Sequence, residues 1–126
     1  MKLAPARAAA IAVLGFRVAY GAGLLAAPGR LGRPWLGGSA DTAPTQIPLQ
    51  ALGTREIVLH CAALIAASRG GSLRPWLAGS VAGDLTDVAA TVARREQLPA
   101  GAARATVLVG GGSALVSAVL ACAVES

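Results

Sequence analysis

Five charged residues interrupt long apolar runs in this chain: Arg17, Arg55, Glu56, Asp84 and Asp87, with a single histidine, His60, close by. A charge placed at the centre of a bilayer costs several kcal/mol and is kept facing a partner or a cavity. Asp84 and Asp87 lie one helical turn apart on one face. Two like carboxylates that close in a low dielectric do not both ionise easily, so the pair is expected to hold a proton. A carboxyl proton in an apolar pocket is a general acid toward an epoxide, a carbonyl or an alkene, and a neighbouring arginine can orient it. Hydrolysis, isomerisation or cyclisation of a polyketide- or terpenoid-like substrate would suit such a group. The candidate catalytic set is therefore Asp84, Asp87, Glu56, Arg17, Arg55 and His60. The same residues admit a plainer role, in which Arg17 and Arg55 clamp the carboxylates only to fix helix pairing and register. The charges count two positive against three negative, which leaves one excess negative charge for a proton or His60 to balance.

Other chemistries find little support. His60 stands beside Cys61 with no second histidine to share a metal. A Ser-His-Asp arrangement would need Ser80 or Ser113 to align with His60 across helices. Gly110-Gly111-Gly112 lies inside an apolar run with no following lysine, so it does not form a phosphate loop. Cys61 and Cys122 both fall in apolar runs without metal or redox spacing, and a disulfide would require their helices to meet. No cofactor and no metal are expected.

The elements that must carry these residues follow from periodicity. Arg17, Tyr20 and Gly21 share a face of a first helix; Gly53, Glu56, His60 and Ala63 share one on a second. Ser80, Asp84, Asp87 and Thr91 form a polar stripe on a third, and a polar stripe needs a polar neighbour. Thr106, Gly110, Ser113 and Ser117 form a small-residue face on a fourth that would let backbones approach closely. Four spans are predicted, at about 8–27, 49–68, 75–93 and 103–124, within one integral membrane domain over 1–126. Short connections make an up-down-up-down four-helix transmembrane bundle the simplest all-α topology.

The first run also has the shape of a signal peptide, with Lys2 and Arg7 before an apolar stretch and small residues at Ala26-Ala27. Arg17 in mid-run favours a retained span. Gly29 to Pro48 reads as a long loop, too broken by glycine and proline to span. Arg33-Pro34-Trp35-Leu36-Gly37-Gly38-Ser39 is echoed by Arg74-Pro75-Trp76-Leu77-Ala78-Gly79-Ser80, and both copies suit interfacial anchors. Arginines at the ends of the spans do not resolve orientation, since the two sides carry nearly equal numbers.

Composition supports the membrane class: 126 residues are 55% hydrophobic and 13% charged, against roughly a quarter charged in soluble domains. The net charge of +5 is scattered singly rather than gathered into a basic stripe, which argues against nucleic acid. The basic residues other than Lys2 are all arginine, as in chains from GC-rich bacterial genomes. The expected setting is a cell membrane crossed several times, the partners a lipid bilayer and a lipophilic small molecule. Association into a homo-oligomer through the last helix would make ion transport feasible.

Arg17, Gly21, Gly23 and Ala27-Pro28, the Arg-Pro-Trp-Leu-Gly element, Leu52-Gly53-Thr54-Arg55-Glu56 and Asp84-x-x-Asp87 together resemble a family of small four-span membrane proteins of bacteria and fungi. It is catalogued as a domain of unknown function and looks similar to the DoxX-like bundles. The resemblance covers nearly the whole chain and implies fold and location more than activity. It puts Arg17, Arg55, Glu56, Asp84 and Asp87 on the family's polar positions, and it marks His60-Cys61 as a departure where a small residue is expected. Two functions remain open, an accessory or binding module and a membrane-embedded acid-base enzyme.

Overall fold

A computed structural model describes residues 4–124. Lys2, used above as a flank of the first run, lies outside the described residues. Within them the chain is all-α: five α-helices, two short 3-10 turns and no strand.

Helix α1 (Pro5–Ala26) opens on a proline, whose missing N–H is no loss in a first turn. It stops before Pro28, which begins the short helix α2 (Pro28–Leu36). Gly37, at φ +60°, turns the chain into a 3-10 segment (Gly37–Asp41) ahead of α3 (Ala43–Ser68). Helix α4 (Arg74–Ala93) follows a tight connection through Gly70, and α5 (Ala102–Ala123) follows Gly101, which has φ +83°. The stretch read as a loop, Gly29 to Pro48, is thus mostly helical. Pro28 and Pro44 sit at first-turn positions where proline is compatible with a helix, and Pro48 removes only one bond near the start of α3. Helix α3 consequently begins six residues before the expected Leu49.

Three helices, α1, α3 and α5, are long and apolar enough to cross a membrane. Helix α4 matches the expected third span in position and length, but Arg74, Asp84 and Asp87 make it more polar than the others. The echoed Arg-Pro-Trp segments land in different settings: the first lies within α2, the second opens α4.

The helices pack as two pairs, α1 along α3 and α4 along α5, and the pairs touch each other over shorter stretches. The α1–α3 crossing is set by Gly21 and Gly53. A Cβ on either would come within 2.6 Å of the other's carbonyl oxygen, so the two backbones are in direct contact. At one end the pairs close on an apolar cluster of Ala10, Leu14, Ala63, Leu73, Leu77 and Ala121. There Arg7 donates to the carbonyls of Ala67 and Gly71, at 3.1 and 3.0 Å, and ties the start of α1 to the end of α3.

The radial pattern is the reverse of a water-soluble domain. Arg17, Glu56, His60 and Asp84 are buried, whereas Val58, Leu108, Leu115 and Val119 are mostly exposed. An outer surface so apolar requires contact with lipid or protein.

Candidate functional site

The three-to-four spacing of charges turns the polar side of each long helix inward, and at mid-depth four helices meet on one guanidinium. Arg17 of α1 donates Nε–H to Glu56 Oε2 at 2.9 Å and Nη2–H to Glu56 Oε1 at 3.2 Å. It also donates Nη1–H to Asp84 Oδ2 at 2.8 Å and Nη2–H to Asp84 Oδ1 at 2.6 Å. A fifth bond runs from Nη1 to the Ser113 hydroxyl of α5 at 2.8 Å. An arginine has five N–H donors, so Arg17 is saturated: two forked carboxylates and one hydroxyl, from α3, α4 and α5. A second pair stands beside it, Arg55 Nη2 donating to Asp87 Oδ2 at 2.7 Å, with both side chains partly exposed. Arg55 also approaches Glu56 Oε1 at 3.8 Å, which links the two pairs electrostatically.

The proton-sharing pair expected from the Asp84/Asp87 spacing is therefore split. Each carboxylate turns to a different arginine, Asp84 to Arg17 of α1 and Asp87 to Arg55 of α3. The plainer role, arginines clamping carboxylates, describes the contacts observed.

Above this floor the two helix pairs diverge into a cleft of about 850 Å³. Arg17, Arg55, Glu56, Asp84 and Asp87 all line it, and the remaining wall is mainly apolar, with Phe16, Tyr20, Leu52, Trp35 and Val109 among its residues. Phe16 on α1 and Val109 on α5 line the cleft and are 71% and 70% exposed, so the cleft is open to the apolar outer surface. Helix α2 covers one end. Leu31, Trp35 and Leu36 face the cleft, and Trp35 Nε1 donates to the Ala102 carbonyl at 3.2 Å, pinning α2 to the start of α5.

His60 lies apart from the cleft, fully buried. Its Nδ1 is 2.7 Å from the Glu56 carbonyl and 3.4 Å from Glu56 Oε2, and its Nε2 is 2.7 Å from the Ser80 hydroxyl. Ser80 in turn lies 3.1 Å from the Trp76 carbonyl. Helices α3 and α4 do bring Ser80 to His60, but the His60 Nδ1 hydrogen bond goes to the Glu56 main-chain carbonyl rather than to its carboxylate. Ser80 is only 1% exposed and does not line the cleft, so a substrate carbonyl held there does not reach its oxygen. The triplet locks α3 to α4 beneath the floor. Replacing Ser80 with alanine leaves a buried imidazole nitrogen without its partner, and is expected to cost about 1–3 kcal/mol. A thermal melt in detergent would register that as a lower midpoint; an unchanged midpoint would mean the hydrogen bond contributes nothing.

Four residues of the site went unnamed as candidates in the sequence. Ser113 fell on a recognised face but carried no sign that it would accept from Arg17. Phe16 and Trp35 are single aromatics whose spacing does not mark them as walls, and Tyr20 was placed on the face of Arg17 without a role. Ser117, one turn from Ser113, is fully buried and its hydroxyl has no hydrogen-bond partner. No disulfide joins Cys61 to Cys122. Among the described residues, no three His, Cys, Asp or Glu side chains gather as a metal site would require.

Comparison with protein-family models, with curated proteins and with solved structures returned no match.

Proposed function

We propose that this chain is a multi-pass protein of the cell membrane in which α1, α3, α4 and α5 cross as an up-down-up-down bundle of the DoxX-like kind, and that it binds a lipophilic small molecule in its cleft. The observation that carries this reading is an apolar cleft of about 850 Å³ whose lining residues Phe16 and Val109 are exposed on an apolar outer surface. A volume of that order suits one small ligand. In a bilayer the mouth faces acyl chains, so a ligand dissolved in lipid enters without crossing water. Helix α4 spans because its carboxylates are turned inward to Arg17 and Arg55. The ion pairs then form the polar end of a binding site and hold the two helix pairs in register.

A second reading is an acid-base enzyme on a lipophilic epoxide or polyene, favoured by Glu56, Asp84 and Asp87 all lining the cleft. The hydrogen bonding supports binding more strongly. Both oxygens of Glu56 and both of Asp84 accept from Arg17, which leaves none free to present a proton to a substrate. Turnover of a lipophilic epoxide by the purified protein, lost in Asp84→Asn, would reverse that preference.

Binding is tested with the protein's two tryptophans, since Trp35 lines the cleft and Trp76 packs at the closed end. In Trp76→Phe protein in detergent, 1-bromododecane is expected to quench Trp35 fluorescence along a saturable curve. In Trp35→Phe protein, quenching of Trp76 is expected to stay weak and unsaturable. Equal, unsaturable quenching of both would remove the binding reading.

A further inference from the structure

The floor of the cleft carries more negative than positive charge, and its geometry says where the excess sits. Asp87 and Arg55 neutralise each other. Arg17 faces two carboxylates, Glu56 and Asp84, and both are forked to it. On the lined surface two arginines thus stand against three carboxylates, a formal excess of one negative charge.

Building on the binding reading above, we propose that the cleft takes a lipophilic organic monocation, an amine or quaternary ammonium type of ligand with an apolar body. Three features select that chemistry. Arg17, which faces the two buried carboxylates, has spent every donor, and Arg55, though it keeps unused N–H groups, has its charge offset by Asp87, so neither offers an anionic headgroup a net positive partner. A small hard cation needs a cage of several oxygens turned toward it, and here the carboxylate oxygens are turned to Arg17. A diffuse cation needs no such cage. It is held at longer range by the uncompensated charge and by the faces of aromatic rings, and Phe16, Tyr20 and Trp35 supply rings along the same wall. In a low-dielectric cleft, one uncompensated charge attracts such a ligand over many ångströms. The nearest competing neutraliser is His60, whose Nδ1 stands 3.4 Å from Glu56 Oε2. Its Nδ1 donates to the Glu56 carbonyl and its Nε2 can accept from the Ser80 hydroxyl, so the neutral ring satisfies both bonds and no charge on His60 is needed to make them.

Tetraphenylphosphonium and tetraphenylborate, matched in size and shape and opposite in charge, are the probes. Each is titrated into Trp76→Phe protein whose Trp35 is quenched by 1-bromododecane, with partition into empty micelles subtracted. The phosphonium is expected to relieve quenching at a concentration at least about tenfold lower than the borate. Arg55→Gln, which makes the floor more negative, is expected to tighten phosphonium binding about tenfold, and Asp87→Asn to weaken it by a similar factor. Both variants break the same ion pair, so a purely structural effect would move both in one direction. Saturable quenching by 1-bromododecane with no preference for the phosphonium, or with both variants shifted alike, overturns the cation and leaves the binding site. Absence of saturable quenching overturns both. The comparison of the two probes needs no variant, so a substitution that prevents folding does not shield the proposal.

Discussion

Arg17→Met is expected to abolish accumulation of folded protein. The substitution removes five hydrogen bonds at once and leaves Glu56 and Asp84, 3% and 6% exposed, without the guanidinium that joins them, Arg55 at 3.8 Å from Glu56 being the remaining nearby positive charge. Removing one partner of a buried ion pair typically costs about 3–5 kcal/mol, and here one removal strands two carboxylates. A whole domain is stable by only about 5–15 kcal/mol, so the loss consumes a large part of the margin. Arg17→Lys keeps the charge but offers three donors from one nitrogen in place of a planar fork. It cannot bridge both carboxylates, and its melting midpoint should fall between those of the parent and Arg17→Met. Replacing the group together, as Arg17→Met with Glu56→Met and Asp84→Leu, should restore folding, because apolar side chains of similar volume can substitute for a buried charge cluster. Yield by size-exclusion chromatography and melting in detergent distinguish these outcomes. An Arg17→Met protein that folds with the parent's midpoint would mean that the carboxylates are compensated by something other than Arg17.

Gly21→Ala should destabilise the protein while Gly15→Ala, on the same helix, should stabilise it. At Gly15 a Cβ meets nothing within 4 Å, so alanine brings only its better helix propensity, up to about 1 kcal/mol. At Gly21 the added carbon would fall 2.6 Å from the Gly53 oxygen and 2.8 Å from the Glu56 Cβ. Helices α1 and α3 must then part, and overpacking of this kind costs about 1–3 kcal/mol. The displacement also acts on the site, because Gly21 lies one turn from Arg17 and Gly53 lies three residues from Glu56. Loss of stability should therefore be accompanied by weaker 1-bromododecane quenching of Trp35. Two midpoints shifted in the same direction would show that the α1–α3 crossing does not depend on backbone contact.

Together these effects make the ion-pair network both keystone and floor. The charges that stabilise the assembly by joining α1, α3, α4 and α5 also define the polar end of the cleft. Substitutions there should change stability and ligand binding together, which is why the Arg55 and Asp87 variants, at the partly exposed edge of the network, give the cleaner view of ligand charge.

Much of this arrangement was legible in the chain. Three- and four-residue steps placed Ser80, Asp84 and Asp87 on one face, and Gly53, Glu56, His60 and Ala63 on another, because helical periodicity is a local property that needs no knowledge of neighbours. The apolar runs likewise marked the long helices. Local signals failed at the prolines, where Gly29 to Pro48 looked unstructured although Pro44 sits in the first turn of α3, and Pro34 and Pro48 lie inside α2 and α3. They failed again at the carboxylates: spacing alone made Asp84 and Asp87 a pair, while the rotation of α4 between two arginines separated them.

Helix identity, inward faces and the surplus of one negative charge are written in residue order, since each depends on composition or on contacts within a turn or two. Which oxygen meets which nitrogen is not. Arg17 and Ser113 are far apart in the chain and meet only because two glycines let α1 and α3 touch and so fix the offset of every helix around them. The cleft is likewise a product of tertiary packing: it exists where two tightly packed helix pairs diverge, and a void between helices is carried by no single residue.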